Sequence, residues 1–149
     1  MSRPAIRSYR DLIVWQKAMR LTVGVHELTR RYPRCKHHGL GGQMRRAASS
    51  IASNIAEGHG RDHLGDYLRH LSISKGSLAE LETQLLTAQA VARIPAKDID
   101  PLFALCEEVG RMLSVLSRKL RLRLNAGRKH RPSRTQRSVP NTRPLEPST

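Results

Sequence analysis

A chain of 149 residues is long enough for one domain with its own hydrophobic core and too short to expect two. Its 27 Lys and Arg against 12 Asp and Glu leave a formal net charge of +15. That excess favours polyanionic partners, because neutralising phosphates releases condensed counterions. Two sparse cysteines, Cys35 and Cys106, fit a reducing cytoplasm rather than a disulfide scaffold. The opening MSRPAIRSYRDL has no apolar leader, and no run reaches the roughly 18 apolar residues of a membrane span, so neither secretion nor membrane insertion is expected.

Residues 1–8 read as a short basic arm, 9–125 as the folded body, and 126–149 as a disordered basic tail. The tail is rich in Pro, Ser, Thr and Arg and has too little apolar surface to offset its ordering entropy. It holds six cations and one acid, so ten of the fifteen excess positive charges lie in residues 1–125. A first helix is predicted from about Tyr9 to Arg31, with two apolar seams at three-and-four spacing. One is Leu12, Trp15, Met19, Thr22 and His26; the other is Val14, Ala18, Leu21, Val25 and Leu28. Two adjacent seams imply cover on more than one side, from another subunit or from a deeper setting in the chain's own core. Pro33 should end this helix, since proline disfavours the α conformation before it and has no N–H to donate.

A second helix, about Gly42 to Glu57, is crowded with small residues (Ala47, Ala48, Ser49, Ser50, Ala52, Ser53, Ala56) that let neighbouring backbones come close. Gly58 and Gly60 suggest a left-handed C-terminal cap, and Asp62 an N-cap for the third helix. The third seam runs Leu64, Leu68, Leu71, Leu78, Leu81, Leu85, Ala88, Ala92. It thins at Ser74-Lys75-Gly76, where a close crossing or a bend is expected. Pro95 breaks the chain, and Asp100 before Pro101 reads as an N-cap with proline in the first turn of a fourth helix. Its seam is Leu102, Leu105, Val109, Met112, Leu116 and Leu120, and it is expected to fray through Arg118–Arg123. Four amphipathic helices with short connections give an all-α, up-down-up-down four-helix bundle.

No catalytic constellation emerges. Asp62 and Asp66 suit caps or surface charges, while Glu80 and Glu82 leave a helix in different directions. No serine sits in a strand–turn–helix elbow. His59 and His63 are separated by helix-breaking residues, and Cys35 with His37 and His38 has no second ligand pair at a zinc-like interval. The expectation is therefore a non-enzyme without cofactor or metal. Candidate nucleic-acid contacts are Arg30, Arg31, Arg34, Lys36, Arg45, Arg46, Arg118, Lys119, Arg121 and Arg123, reading RNA or DNA through its backbone. Gly39-Leu40-Gly41-Gly42 ahead of Arg45-Arg46 adds a helix N-terminus suited to phosphate. With no aromatic stacking platform, sequence-specific base reading is not expected. The competing reading is a scaffold whose basic surface meets an acidic protein.

The words YRDLIVWQKAMRL, QMRRAASSIASNIAEG and YLRHLSISKGSLAELETQL, with YP and GL between the first two, resemble the four-helix-bundle family of 23S ribosomal RNA intervening-sequence proteins. That family is related to accessory proteins of diversity-generating retroelements. The resemblance covers about Tyr9 to Leu120 and implies a four-helix bundle assembling as a pentameric barrel. It also implies a nucleic-acid partner and, for the retroelement relatives, a reverse transcriptase. Candidate subunit-packing residues are Trp15, Ser50, Asn54, Glu57 and Gly58. Where the family has an acid after YP, an aromatic before GL, and Thr or Ser at the second helix start, this chain has Lys36, His38 and Gly41-Gly42. Those changes make the loop more basic and weaken the cap.

Overall fold

The computed structural model describes residues 5–36 and 39–129; half of the predicted arm and most of the predicted tail lie outside them. Four α-helices fill the described chain: α1 Ile13–Arg31, α2 Leu40–His59, α3 Leu64–Ala92 and α4 Ala96–Lys129. Contacts join α1 to α2, α2 to α3, α3 to α4 and α4 back to α1, leaving α1–α3 and α2–α4 as the diagonals of a four-helix bundle. Side-chain pairs run in opposite sequence directions across α2–α3 and across α1–α4. Ser50 meets Ser77 while Asn54 meets His70, and Lys17 meets Glu108 while Arg31 meets Asp98. The bundle is up-down-up-down, as expected.

The start of α1 is more elaborate than its periodicity suggests. Tyr9–Asp11 form a 3-10 turn, closed by a capping box in which the Ser8 hydroxyl accepts from Arg10 N–H and Asp11 Oδ2 accepts from Ser8 N–H. At the far end Tyr32 caps α1 and Pro33 opens a second 3-10 turn, Pro33–Lys36. Of the two α1 seams, Val14, Ala18, Leu21, Val25 and Leu28 are buried. The other grades from buried Leu12 through half-buried Trp15 and Thr22 to exposed Met19 and His26.

Several helix ends differ from expectation. The fourth helix begins at Ala96, before the Asp100-Pro101 signal, and Pro101 lies inside it. The earlier start buries Ile99 and brings Asp98 to the end of α1. There it accepts hydrogen bonds from Arg31 Nη1 at 3.2 Å and from the Tyr32 hydroxyl. These tertiary contacts outweigh the local cap. The same helix does not stop at Asn125 but continues to Lys129, so the predicted fraying and the boundary at 126 are both displaced. Asp62 does not cap α3; His63 occupies that position without a side-chain hydrogen bond. Gly60 caps α2 in the right-handed region rather than the left-handed one, and Gly58 is a buried helix residue.

Gly58 is explained by packing. A Cβ built there would stand 2.7 Å from Tyr67 Cδ2 and 2.9 Å from His70 Cβ. Only a missing side chain lets α3 lie this close to α2. Further along the same crossing, the buried Ser74 hydroxyl donates to Ile51 O at 3.0 Å. The thinning of the α3 seam is thus a close crossing through Ser74 and Ser77, while Gly76 faces outward. On α4 the innermost seam is Ile99, Leu102, Cys106, Val109, Leu113, Ser117 and Leu120, whereas Leu105, Met112 and Leu116 are only half-buried.

Candidate nucleic-acid interface

The ten predicted contact residues do not form one patch. Antiparallel packing sends the α1–α2 connection to one end of the bundle and the end of α4 to the other. At the first end stand Arg30, Arg31, Arg34, Lys36, Arg45 and Arg46; at the other are Arg118, Lys119, Arg121 and Arg123.

The first group borders an open groove between α1 and α2. Two depressions share His26 and Arg45 and so make one continuous trough. Arg30, Lys36, Arg45 and Arg46 line it together with Gly42, Ser49 and Ser53, and Glu27 is its only acid. Small residues on the α2 side hold the trough open, while arginine and lysine stems bring mobile cations over it. Arg45 is the most anchored of these, because its Nη1 donates to Thr29 Oγ1 at 3.1 Å. Arg31 belongs less to the groove: it is ion-paired with Asp98, and the pair ties α1 to α4. Arg34 is exposed on the Pro33–Lys36 turn.

The groove also adjoins the start of α2. Gly39 holds φ at 65°, the left-handed region, and gives the helix no side-chain cap. The first intrahelical bond there is Gln43 N–H to Gly39 O at 3.2 Å, so the N–H groups of Leu40, Gly41 and Gly42 point out of the helix end. The weakened cap inferred from the glycines is present, shifted to Gly39. Gly41 is buried against Thr29, which narrows access to its own N–H. His37 and His38 lie outside the described residues.

The predicted subunit-packing residues have partners within the chain. Asn54 Nδ2 donates to Ser50 O at 2.9 Å, which turns Asn54 Oδ1 toward His70 Nδ1 at 3.0 Å. Because that oxygen can only accept, the His70 Nδ1 carries the proton. Glu57 Oε2 stands 3.8 Å from the same nitrogen, and Ser50 is hydrogen-bonded to Ser77 at 2.8 Å. This network and Gly58 fix the α2–α3 crossing. Trp15 sits half-buried in edge contact with Tyr9, ring centroids 5.2 Å apart.

Both thiols are buried. Burial raises Cys35, and burial followed by the Glu82 charge pushes Cys106 up to about 12. Neither is poised as a thiolate nucleophile. Among the described residues no group of three or more His, Cys, Asp or Glu is placed to hold a metal ion. No described helix is long and apolar enough to cross a membrane.

The geometry defines a small all-α bundle whose candidate site is a cationic groove between α1 and α2. Its sequence places it more narrowly: residues 10–115 match the model of the 23S rRNA-intervening sequence protein family, and the chain belongs to that family. A crystal structure from Bacteroides thetaiotaomicron VPI-5482, described as a protein of unknown function from the S23 ribosomal protein family, is similar in fold. It aligns at a TM-score of 0.62 and 19% identity, over 70% of this chain and 98% of that one. No curated protein matches the chain.

Proposed function

We propose that this protein is a non-enzymatic, oligomeric nucleic-acid-binding bundle that grips the phosphate backbone in the α1–α2 groove. One observation carries the reading: Arg30, Lys36, Arg45 and Arg46 converge on a trough whose lining includes a single acid, Glu27. Exposed cations spaced along a trough suit a phosphodiester chain, which offers repeated negative charge without demanding a shaped pocket. No Phe, Tyr or Trp lines the groove and His26 is its single ring, so successive bases find no stacking platform and contact is independent of sequence.

The family name supports a setting in ribosomal RNA intervening sequences, with Arg30, Lys36 and Arg46 as backbone contacts. An accessory role beside the reverse transcriptase of a diversity-generating retroelement is the other setting we propose. We further propose a homo-oligomer, the pentamer implied by the sequence resemblance. Met19, Val23, Leu86 and Val91 are exposed on the single chain and would gain cover in one. Met19 and Val23 border the basic groove, which favours a second reading in which an acidic protein docks there.

Fluorescence anisotropy with RNAs and DNAs of unrelated sequence tests the proposal. The wild type should bind them with similar affinity. With the α4 cations Arg118, Arg121, Arg128 and Lys129 reversed in charge so that only the groove reports, the added Arg30→Ala, Lys36→Ala, Arg46→Ala triple variant should bind all of them at least about tenfold more weakly. Binding untouched by the triple variant would refute the groove as the site.

A further inference from the structure

We propose that the chain carries two separate phosphodiester-binding surfaces, at opposite ends of the bundle, and holds two nucleic-acid segments at once. The inference rests on the nucleic-acid reading above but adds a bridging activity that a single groove does not provide.

Separation along the bundle follows from α4 itself. Asp98 of α4 is in contact with Arg31 at the groove end. From Asp98 to Arg121 the same helix rises about 35 Å, at about 1.5 Å per residue. Separation across the bundle follows from the packing order. The groove lies between α1 and α2, while the second cluster is on α4, which does not contact α2 among the described residues.

The second surface is a built feature of the helix rather than a frayed end. Leu120 is the last buried residue of α4, yet the helix runs on to Lys129 with nearly every residue exposed. Arg118, Arg121, Arg128 and Lys129, with Asn125, recur at three-and-four spacing and so share one outward face. No ion pair among the described residues neutralises any of those four cations. They far exceed the roughly half negative charge of the helix C-terminus, so the dipole does not account for them.

Between the two ends, Glu107 is paired to Arg111 on its own helix and Glu108 to Lys17 of α1. A strand continuing from the end of α4 toward the groove would meet these closed ion pairs. Two segments, one per end, match this charge pattern better than one segment wrapped lengthwise.

A two-strand capture assay on the full chain tests this. A short single-stranded RNA is tethered to beads, and the protein is asked to retain a second, labelled, non-complementary RNA; a parallel arm uses DNA. Wild type should retain the second strand. Charge reversal of Arg118, Arg121, Arg128 and Lys129, or separately of Arg30 and Arg46, should lower retention about tenfold while anisotropy shows that one strand still binds. Far-UV circular dichroism confirms that each variant is folded. Retention that survives either reversal would overturn the proposal, since repeated copies of one surface would then suffice. Complete loss of single-strand binding on reversal at one end would also overturn it, while leaving the proposed nucleic-acid function standing on that end alone. Failure of the wild type to bind even one strand would instead refute the reading on which the proposal rests.

Discussion

Replacing Gly58 with alanine should destabilise the bundle, although alanine is the better helix former. Intrinsic propensity alone would favour Gly58→Ala by about 1 kcal/mol. The added methyl, however, would stand 2.7 Å from Tyr67 Cδ2 and 2.9 Å from His70 Cβ. Tyr67 is a rigid buried ring, and His70 is held by Asn54, so neither can swing aside cheaply. Relief requires α3 to move away from α2, loosening the Ser74 bond to Ile51 O and the Ser50–Ser77 pair. Overpacking of this kind costs about 1–3 kcal/mol and exceeds the propensity gain. Gly76→Ala is the matched control: its Cβ would meet nothing within 4 Å, so propensity acts alone and the variant gains about 1 kcal/mol. Urea unfolding followed by helical circular dichroism, at one fixed protein concentration, should move the two midpoints in opposite directions. A Gly58→Ala protein as stable as the wild type would refute the close-crossing account of α2 and α3.

Asn54→Ala should lower stability by about 1–3 kcal/mol, because the His70 Nδ1–H loses its 3.0 Å acceptor in a half-buried setting; urea midpoints measure it. The protein should also lose stability at alkaline pH. Tyr32 is raised by its hydrogen bond to Asp98 and then by burial, while Tyr67, Cys35 and Cys106 are raised chiefly by burial. For each, the folded state keeps a proton that the unfolded chain releases, so the contribution is complete below the unfolded pKa and declines above it. For Cys106 the decline runs from pH 9.0 toward about 12. There it approaches about 1.4 kcal/mol per pH unit. A stability–pH curve of Cys106→Ala should be shallower than wild type above pH 9.0; parallel curves would contradict the assignment.

The helices were legible because their apolar residues recur at helical spacing and because Pro33 and Pro95 interrupt it. What sequence could not rank was competition between local and tertiary signals. Asp100-Pro101 is a good start signal, but burial of Ile99 and the Asp98 contacts with Arg31 and Tyr32 pull the helix start back to Ala96. On α4, two neighbouring seams are both apolar, and periodicity does not say which faces inward. Cys106 and Leu113 are buried where Leu105 and Met112 were expected to be. Gly58 looked like a cap because glycine at a helix end often is one, whereas its reason lies across the interface in Tyr67.

The candidate site was legible in residue type but not in arrangement. The cations were named as candidates, yet their division between two ends was missed, although an up-down-up-down order already separates the first connection from the last helix end. His26 and Thr29 were not recognised as groove residues. The three-and-four spacing that puts Thr22, His26 and Thr29 along the α2-facing side of α1 was the available signal.

The most direct test of the account is the salt dependence of nucleic-acid affinity. Four groove cations on a single strand should give a slope of log K against log salt near −3, from about 0.7 per phosphate contact. In a background where Arg118, Arg121, Arg128 and Lys129 are already reversed in charge, so that only the groove reports, removing Arg30, Lys36 and Arg46 together should flatten that slope by about 2. An affinity that stays constant as salt rises, or a slope unchanged in the triple variant, would contradict phosphate binding in the α1–α2 groove.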